Sequence, residues 1–402
     1  MHLFVSIWHI PLFIASAVGI QNVDVAIIGG GLSGLATAKE IAKAGKSFAI
    51  LEARDRLRVE ELGAEFVGPT QDRVLALAAE LSLTAYPTYT AGKSISAELV
   101  SLMTELNKLA SELDVDAPWR YPKASIWDGM TLKSFLEARI TLQDSLFLFE
   151  TAIRSILSTE TKEPSLLYML SYIAAAGNQT TPGSINRLVG ATGSAQDSRI
   201  NGAQFILPVS TQLLATALAE KLGAQNIYLD SPVGKVKLNG GRYTVMSNRL
   251  QVSAKHVVVA MSPPLAGRIF YDPLLPAGRD QLTQRMPMAF DNTPANTRAL
   301  DKVSQTEVKR LVIDDLVKLF GPQAASASQV LLQQWDMEEF SRVLTQYGCY
   351  LRNPAGNIHF AGTKTSPYWT GYMDGAIRFG ERAAAEVIAF FEFDMLTGGQ
   401  EA

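Results

Sequence analysis

Apolar and polar positions alternate between two periods along the chain. Val23–Ile28 reads VDVAII, a short, β-branched apolar run that predicts a buried strand. A glycine-punctuated turn follows, then LATAKEIAKAG, whose Ala, Lys and Glu favour helix and whose Gly45 suits a helix end. Ser47–Leu51 (SFAIL) predicts a second strand, closed by Glu52. Helical periodicity appears at Ser101–Leu113 and Leu132–Leu157. QVSAKHVVVAMSPP (251–264) reads as a buried strand stopped by Pro263 and Pro264. Near the carboxyl end, IHFAG predicts a strand and GYMDGAIRFGERAAAEVIAFF a helix.

The turn after the first strand places Gly29, Gly31 and Gly34 in a GxGxxG pattern. Glycines there let the backbone approach a diphosphate, while the next helix offers free amides and the positive end of its dipole. Glu52 lies 21 positions after Gly31, the spacing of an acid that grips a ribose hydroxyl. Strand, glycines, helix, strand and acid in that order predict a dinucleotide site. An acid at that point favours a free 2′-hydroxyl, hence NAD or FAD rather than NADP.

Composition narrows the class. The chain has 402 residues, enough for two or three domains, with 47 % hydrophobic and 19 % charged residues. A net charge of −3 argues against a nucleic-acid binder. A single cysteine, Cys349, excludes an intrachain disulfide and a zinc site of several thiolates. Residues 1–21 open with the apolar run MHLFVSIWHIPLFIASAVG, in which Ala15-Ser16-Ala17 resembles a signal-peptidase site. Read as a signal peptide, this segment sends the protein to the secretory pathway. Read as an uncleaved apolar extension, it leaves the protein in the cytoplasm or in a compartment the sequence does not specify. No second run is long enough to span a membrane.

The segments EARDR (52–56), LGAEFVGPTQDR (62–73), DAPW (116–119), WDGMTLKSF (127–135), GSAQDSRINGAQ (193–204), SPVGKV (231–236) and FAGTKTSPYWTGYMDGA (360–376) occur in one order along the chain. Together they resemble the flavin-containing amine oxidase family, in its monoamine oxidase-like branch. The resemblance covers nearly everything after Val23.

It implies an α/β fold: a discontinuous Rossmann-type FAD-binding domain of the GR2-like kind, with an interleaved α+β substrate domain. The FAD-binding pieces are 22–75, 201–286 and 345–392. The substrate domain takes 76–200 and 287–344, and 393–402 is a tail. The implied activity is oxidation of a primary or other amine to an imine, which hydrolyses to an aldehyde. Molecular oxygen is reduced to hydrogen peroxide. The implied partners are FAD, a small-molecule amine and oxygen; oligomeric state is not legible.

Carried over by position, Gly29, Gly31, Ser33 and Gly34 would hold the pyrophosphate. Glu52, with Ala53 beside it, would bind the adenosine ribose. Gly63 and Ala64 match a second glycine element near the flavin, and Val233 a backbone contact to adenine. Gly362, Lys364 and Met373 match positions beside the flavin. Tyr372 matches one wall of an aromatic substrate cage, to which Tyr368 and Trp369 could add. Gln196 matches a substrate-site glutamine and Trp335 a tryptophan near the flavin. No metal site is indicated: His256 has no histidine or cysteine near it in sequence and reads as structural.

The chain also departs from the family. After Leu57 the Gly-Gly-Arg turn that reaches the FAD phosphates is absent. After GKSI (92–95), RMPMA (285–289) and FSR (340–342), further segments are missing. With them go the family's active-site lysine, the second cage tyrosine and the cysteine that tethers flavin in some members. Cys349 lies past that point and reads as a small buried or half-buried thiol, so FAD would be held without a covalent bond. Lys364 stands where the family usually has glutamate. The alternative reading is therefore an FAD-binding relative, or an incomplete gene product, without turnover. An NAD-linked dehydrogenase is compatible with the first unit alone, but GYMDGA argues against it.

Overall fold

The computed structural model describes residues 20–57, 66–87, 96–157, 159–189, 198–201, 212–289, 305–322, 325 and 348–396. The apolar run at 1–19, and with it the signal-peptide reading, lies outside these residues. So do Gly63, Ala64, Gln196 and Trp335.

The strands are β1 (Ile20–Ile28), β2 (Phe48–Leu51), β3 (Phe66–Val67), β4 (Thr84–Pro87), β5 (Ser198–Asn201), β6 (Ile227–Tyr228), β7 (Val233–Asn239), β8 (Arg242–Ser247), β9 (Gln251–Ala260), β10 (Phe270–Asp272) and β11 (Ile358–Ala361). The helices that matter below are α1 (Leu32–Lys43), α2 (Asp72–Glu80), α3 (Ala97–Ser111), α4 (Leu132–Glu137), α5 (Gln143–Leu157), α6 (Leu166–Ala175), α7 (Gln212–Leu222) and α8 (Met373–Leu396).

Among the described residues the main sheet runs β10-β7-β8-β9-β1-β2-β6, and β11 pairs with the second half of β9. β1 lies parallel to both β2 and β9. Its VDVAII run is buried on both faces, as a central parallel strand requires. Val25 and Ile27 point into one apolar cluster with α1, α7 and α8, whereas Ala26 and Ile28 point into the other, with Val245, Val257 and Phe360. This is a Rossmann-type sheet, assembled from three separate stretches of chain. A second, antiparallel sheet has the order β3-β5-β4.

A third apolar cluster is built mainly from α3, α4, α5 and α6 and also takes in Leu351 and Trp369. The periodic stretch 132–157 is two helices rather than one. Between them, the Glu98 carboxylate of α3 accepts hydrogen bonds from the Thr141 and Leu142 amides at 2.7 and 3.3 Å, capping the second helix before it starts. The sequence-based domain limits at 75 and 286 fall inside helices, Asp72–Glu80 and Ala277–Ala289. No helix among the described residues is long and apolar enough to cross a membrane.

Candidate functional site

The glycine turn is built by close packing. Gly29 has φ +109°, and a Cβ on it would lie 2.5 Å from the Ala260 carbonyl oxygen of β9. A Cβ on Gly34 would lie 2.0 Å from the Gly29 carbonyl oxygen. Side chains are thus excluded where strand, turn and helix meet. Gly31 precedes α1 without any side-chain cap, and the first turn of α1 carries no acid. The leading amides of α1 are left for an outside acceptor, as a diphosphate would be.

Glu52 ends β2 with 7 % of its surface exposed. Its Oε2 accepts from the Gly30 amide at 2.7 Å and its Oε1 from the Arg54 amide at 3.0 Å, so the carboxylate is fixed beside the turn. Ala53 is exposed. The Ser231 amide donates to the Glu52 carbonyl at 2.8 Å, which brings the start of β7 and Val233 to the same end of the sheet.

The opposite side of the turn is closed from the carboxyl end of the chain. The Gly362 amide donates to Ser33 Oγ at 2.9 Å. A Cβ on Gly380 of α8 would lie 2.3 Å from the Ser33 carbonyl oxygen. The result is a cleft of about 340 Å³ lined by Gly31, Ser33, Arg54, Gly362, Lys364, Tyr372 and Met373, among others. Six of these residues are sequence candidates, from two segments far apart in the chain. Val233 and Ala53 do not line it. Arg54, which does, is found only by the structure, although the EARDR segment contains it.

Tyr372 is held by its neighbours as well as by the helix it precedes, whose Ala376 amide donates to its carbonyl at 3.1 Å. Thr363 Oγ1 accepts from the Gly371 amide at 2.8 Å and donates to the Tyr372 carbonyl at 2.9 Å. Trp369, 1 % exposed and at φ +51°, meets the Tyr372 ring edge-on at 5.0 Å. Its Nε1 donates to the Thr70 carbonyl and its amide to the Ala175 carbonyl of α6. Trp369 therefore backs the wall instead of forming it. Tyr368 faces a different cavity, beside Asn178–Gly183.

From α6, Tyr172 lies 6.3 Å from the Tyr372 ring, and Tyr168 lies 6.0 Å from Tyr172. These two tyrosines were not singled out from sequence; their i, i+4 spacing on an apolar helix was the available signal. Burial pushes the Tyr372 phenol above its ordinary range, against a hydrogen bond from Tyr172 and the charge of Lys364. The phenol is therefore neutral at physiological pH.

The helix that follows is anchored by Asp374. Its Oδ1 accepts from the Arg73 and Val74 amides at 2.7 and 3.0 Å, capping α2, and its Oδ2 accepts from Arg378. Arg378 in turn reaches Asp72 and Gln179. One hub thus ties α2, α8 and the Asn178–Gly183 loop together.

Two expectations change. Cys349 is exposed, on the outer side of a turn whose Gly348 and Leu351 face inward. His256 does have a neighbour: β9 and β11 run side by side and bring His359 Nε2 to 3.3 Å from His256 Nδ1, with Glu386 at 2.9 Å beyond. Among the described residues no cluster of three or more metal-ligating side chains occurs.

The chain matches the family model for flavin containing amine oxidoreductases over residues 32–296 and 283–388. It is 29 % identical to a probable flavin-containing monoamine oxidase A of Dictyostelium discoideum, over 90 % of this chain and 97 % of the relative. It is 28 % identical to amine oxidase [flavin-containing] B of Sus scrofa, over 91 % of this chain and 86 % of the relative. The Dictyostelium alignment runs to 455 positions, more than the 402 residues here, so it includes positions where this chain has no residue. Among solved structures, putrescine oxidase bound to putrescine superposes with a TM-score of 0.79 at 25 % identity, over 92 % of this chain and 100 % of the other. Cyclohexylamine oxidase from Brevibacterium oxydans gives 0.79 at 26 %, over 92 % and 99 %. With a family match that takes in Ser33, Gly34, Glu52 and the Tyr372 segment alike, the chain belongs to the flavin-containing amine oxidoreductase family, in its monoamine oxidase-like branch.

Proposed function

We propose that this chain is an FAD-dependent amine oxidase that deaminates a small amine at the expense of molecular oxygen. The observation that carries the reading is convergence: the uncapped amides before α1 and the Gly362–Met373 segment line one cleft, with the fixed Glu52 carboxylate at the same turn. Bound FAD would supply the acceptor for the hydride from the carbon beside the amine nitrogen, with oxygen reduced to hydrogen peroxide.

The residues divide the work. Gly31 and Ser33 would meet the diphosphate, and Glu52 the ribose. Gly362, Lys364 and Met373 would lie along the flavin. Tyr372, a neutral phenol backed by Trp369, would offer its ring to an uncharged amine. FAD would be held non-covalently, since Cys349 is the only thiol and lines neither this cleft nor the cavity beside it.

The second reading, FAD binding without turnover, is favoured by one observation: the segment that carries the family's active-site lysine is missing after Ala289. One experiment separates the two. The purified full chain is examined for flavin absorbance that survives gel filtration, then mixed with amine without oxygen. Bleaching of the flavin, and peroxide on readmitting oxygen, supports the oxidase. A yellow protein that no amine bleaches supports the second reading. A folded, colourless protein sinks both.

A further inference from the structure

Beside the Tyr372 wall lies a second cavity, of about 50 Å³. Trp119, Tyr168 and Tyr172 supply its apolar lining, and Ser171, Ser366 and Thr370 its hydroxyls. Among the described residues its charged lining residues are Arg352 and Lys364, and no carboxylate lines it. Lys364 borders the cofactor cleft as well.

Arg352 is positioned by its own bonds. Its Nε donates to the Thr365 carbonyl at 2.9 Å, and its Nη1 meets Asp116 Oδ1 at 3.0 Å. The Asp116 side chain is 69 % exposed, so that acid sits on the solvent side of the pair. Asp114, from the same stretch, also acts on Arg352. Two cationic side chains, Arg352 and Lys364, thus border the cavity, with the acid that pairs Arg352 on its outer side.

Such a lining is unsuited to the ammonium end of an amine, which two nearby cations repel. It suits an anion, since charge-assisted hydrogen bonds from Arg and Lys to a carboxylate are among the strongest available. The volume suits a group of carboxylate size rather than an aromatic ring.

We propose that this cavity is a carboxylate subsite and that the substrate is an amine carrying a carboxylate at its far end. The amine lies toward Tyr372, and the acid group enters the cavity lined by Lys364 and Arg352. The amine half of this statement rests on the oxidase reading above; the carboxylate half rests on the cavity alone.

The test uses the flavin-loaded full chain at constant ionic strength. Butyrate and n-butylamine are titrated while thermal unfolding is followed, which reads binding without turnover. The kcat/KM values of 4-aminobutyrate and n-butylamine are then compared. Butyrate is expected to raise the melting temperature where n-butylamine does not, and 4-aminobutyrate to be the better substrate by about tenfold or more. Lys364→Gln removes the charge at similar length, and Ser171→Asp places a carboxylate on the lining; each is expected to weaken butyrate binding by about tenfold. Equal shifts with butyrate and n-butylamine in the wild type, or unchanged butyrate binding in both variants, would overturn the proposal. Lys364-dependent butyrate binding with no oxidation of any amine upholds the subsite and removes the oxidase reading. Oxidation of both amines alike, with no butyrate binding, does the reverse.

Discussion

The Gly362 amide donates to the Ser33 hydroxyl at 2.9 Å, across 329 positions of chain. The bond ties the start of α1 to the loop after β11, so the two sides of the cofactor cleft move as one. In Ser33→Ala the amide loses its partner, at a cost of about 1–3 kcal/mol if it stays buried. The expected result is a lower midpoint in urea and weaker FAD retention. An alanine variant that holds FAD as the wild type does would show that the cleft closes without this bond.

Gly34 and Gly45 separate two reasons for glycine. At Gly34 a Cβ would lie 2.0 Å from a backbone oxygen, whereas at Gly45, φ +69°, nothing lies within 4 Å. Gly45→Ala should cost about 1–2 kcal/mol, the ordinary strain of a left-handed residue. Gly34→Ala should cost about 3 kcal/mol or more, because turn and helix must part. Equal denaturation midpoints would contradict the close approach.

Asp374 carries both a helix cap and a buried ion pair. Asp374→Ala should destabilise by about 3–5 kcal/mol, leaving Arg378 without its buried partner. Asp374→Asn should cost less, because the amide oxygen can still accept from Arg73 and Val74. A double-mutant cycle with Arg378→Met checks the pairing; additive effects would rule it out.

His256 makes stability depend on pH. Burial, followed by the charges of His359 and Lys255, lowers its pKa from 6.5 to about 4, while Asp24 opposes them. The unfolded chain therefore takes up a proton near pH 6.5 that the folded chain refuses until about pH 4. The stabilisation is complete above pH 6.5 and is lost as pH falls toward 4, amounting to about 3 kcal/mol over the interval. Urea midpoints measured from pH 7.5 to 4.5 should decline in the wild type. They should decline less in His256→Asn, whose amide can still donate to His359.

Tyr372 should matter as a ring. Tyr372→Phe keeps the wall and its edge-on contact with Trp369, and should change kcat/KM little. Tyr372→Ala removes an apolar surface worth about 1.5–3 kcal/mol, a fall of about 10–100-fold in kcat/KM. Steady-state oxygen consumption distinguishes the two. Equal losses in Phe and Ala would assign the role to the hydroxyl.

The nucleotide half was legible in the sequence because each of its signals is local. A strand run, three glycines and an acid at fixed spacing specify β1, α1, β2 and Glu52 without reference to anything distant. Tyr372 was legible through its contiguous neighbours. The remainder depends on contacts across the chain. The i, i+4 spacing of Tyr168 and Tyr172 marks them only as one face of a helix; the packing of α6 against Trp369 is what aims them at Tyr372. His256 gave no sign of His359, because strand pairing, not sequence distance, makes them neighbours. The break between α4 and α5 hid for a similar reason, since the capping carboxylate comes from Glu98 on another helix. The exposure of Cys349 follows from which side of a short turn faces inward, and composition does not encode that.

The contact between α8 and α1 has a consequence for biosynthesis. The glycine turn leaves the ribosome well before the strand and helix that complete its surroundings, β11 and α8. Throughout that interval the face of α1 formed by Ser33, Ala36 and Thr37 lacks the helix that will cover it. Until α8 emerges, that surface is open to misassembly. A cleft that needs both walls would close on FAD only after α8 is made, and a transcript cut short before Gly380 would yield a chain whose glycine turn never acquires its second wall.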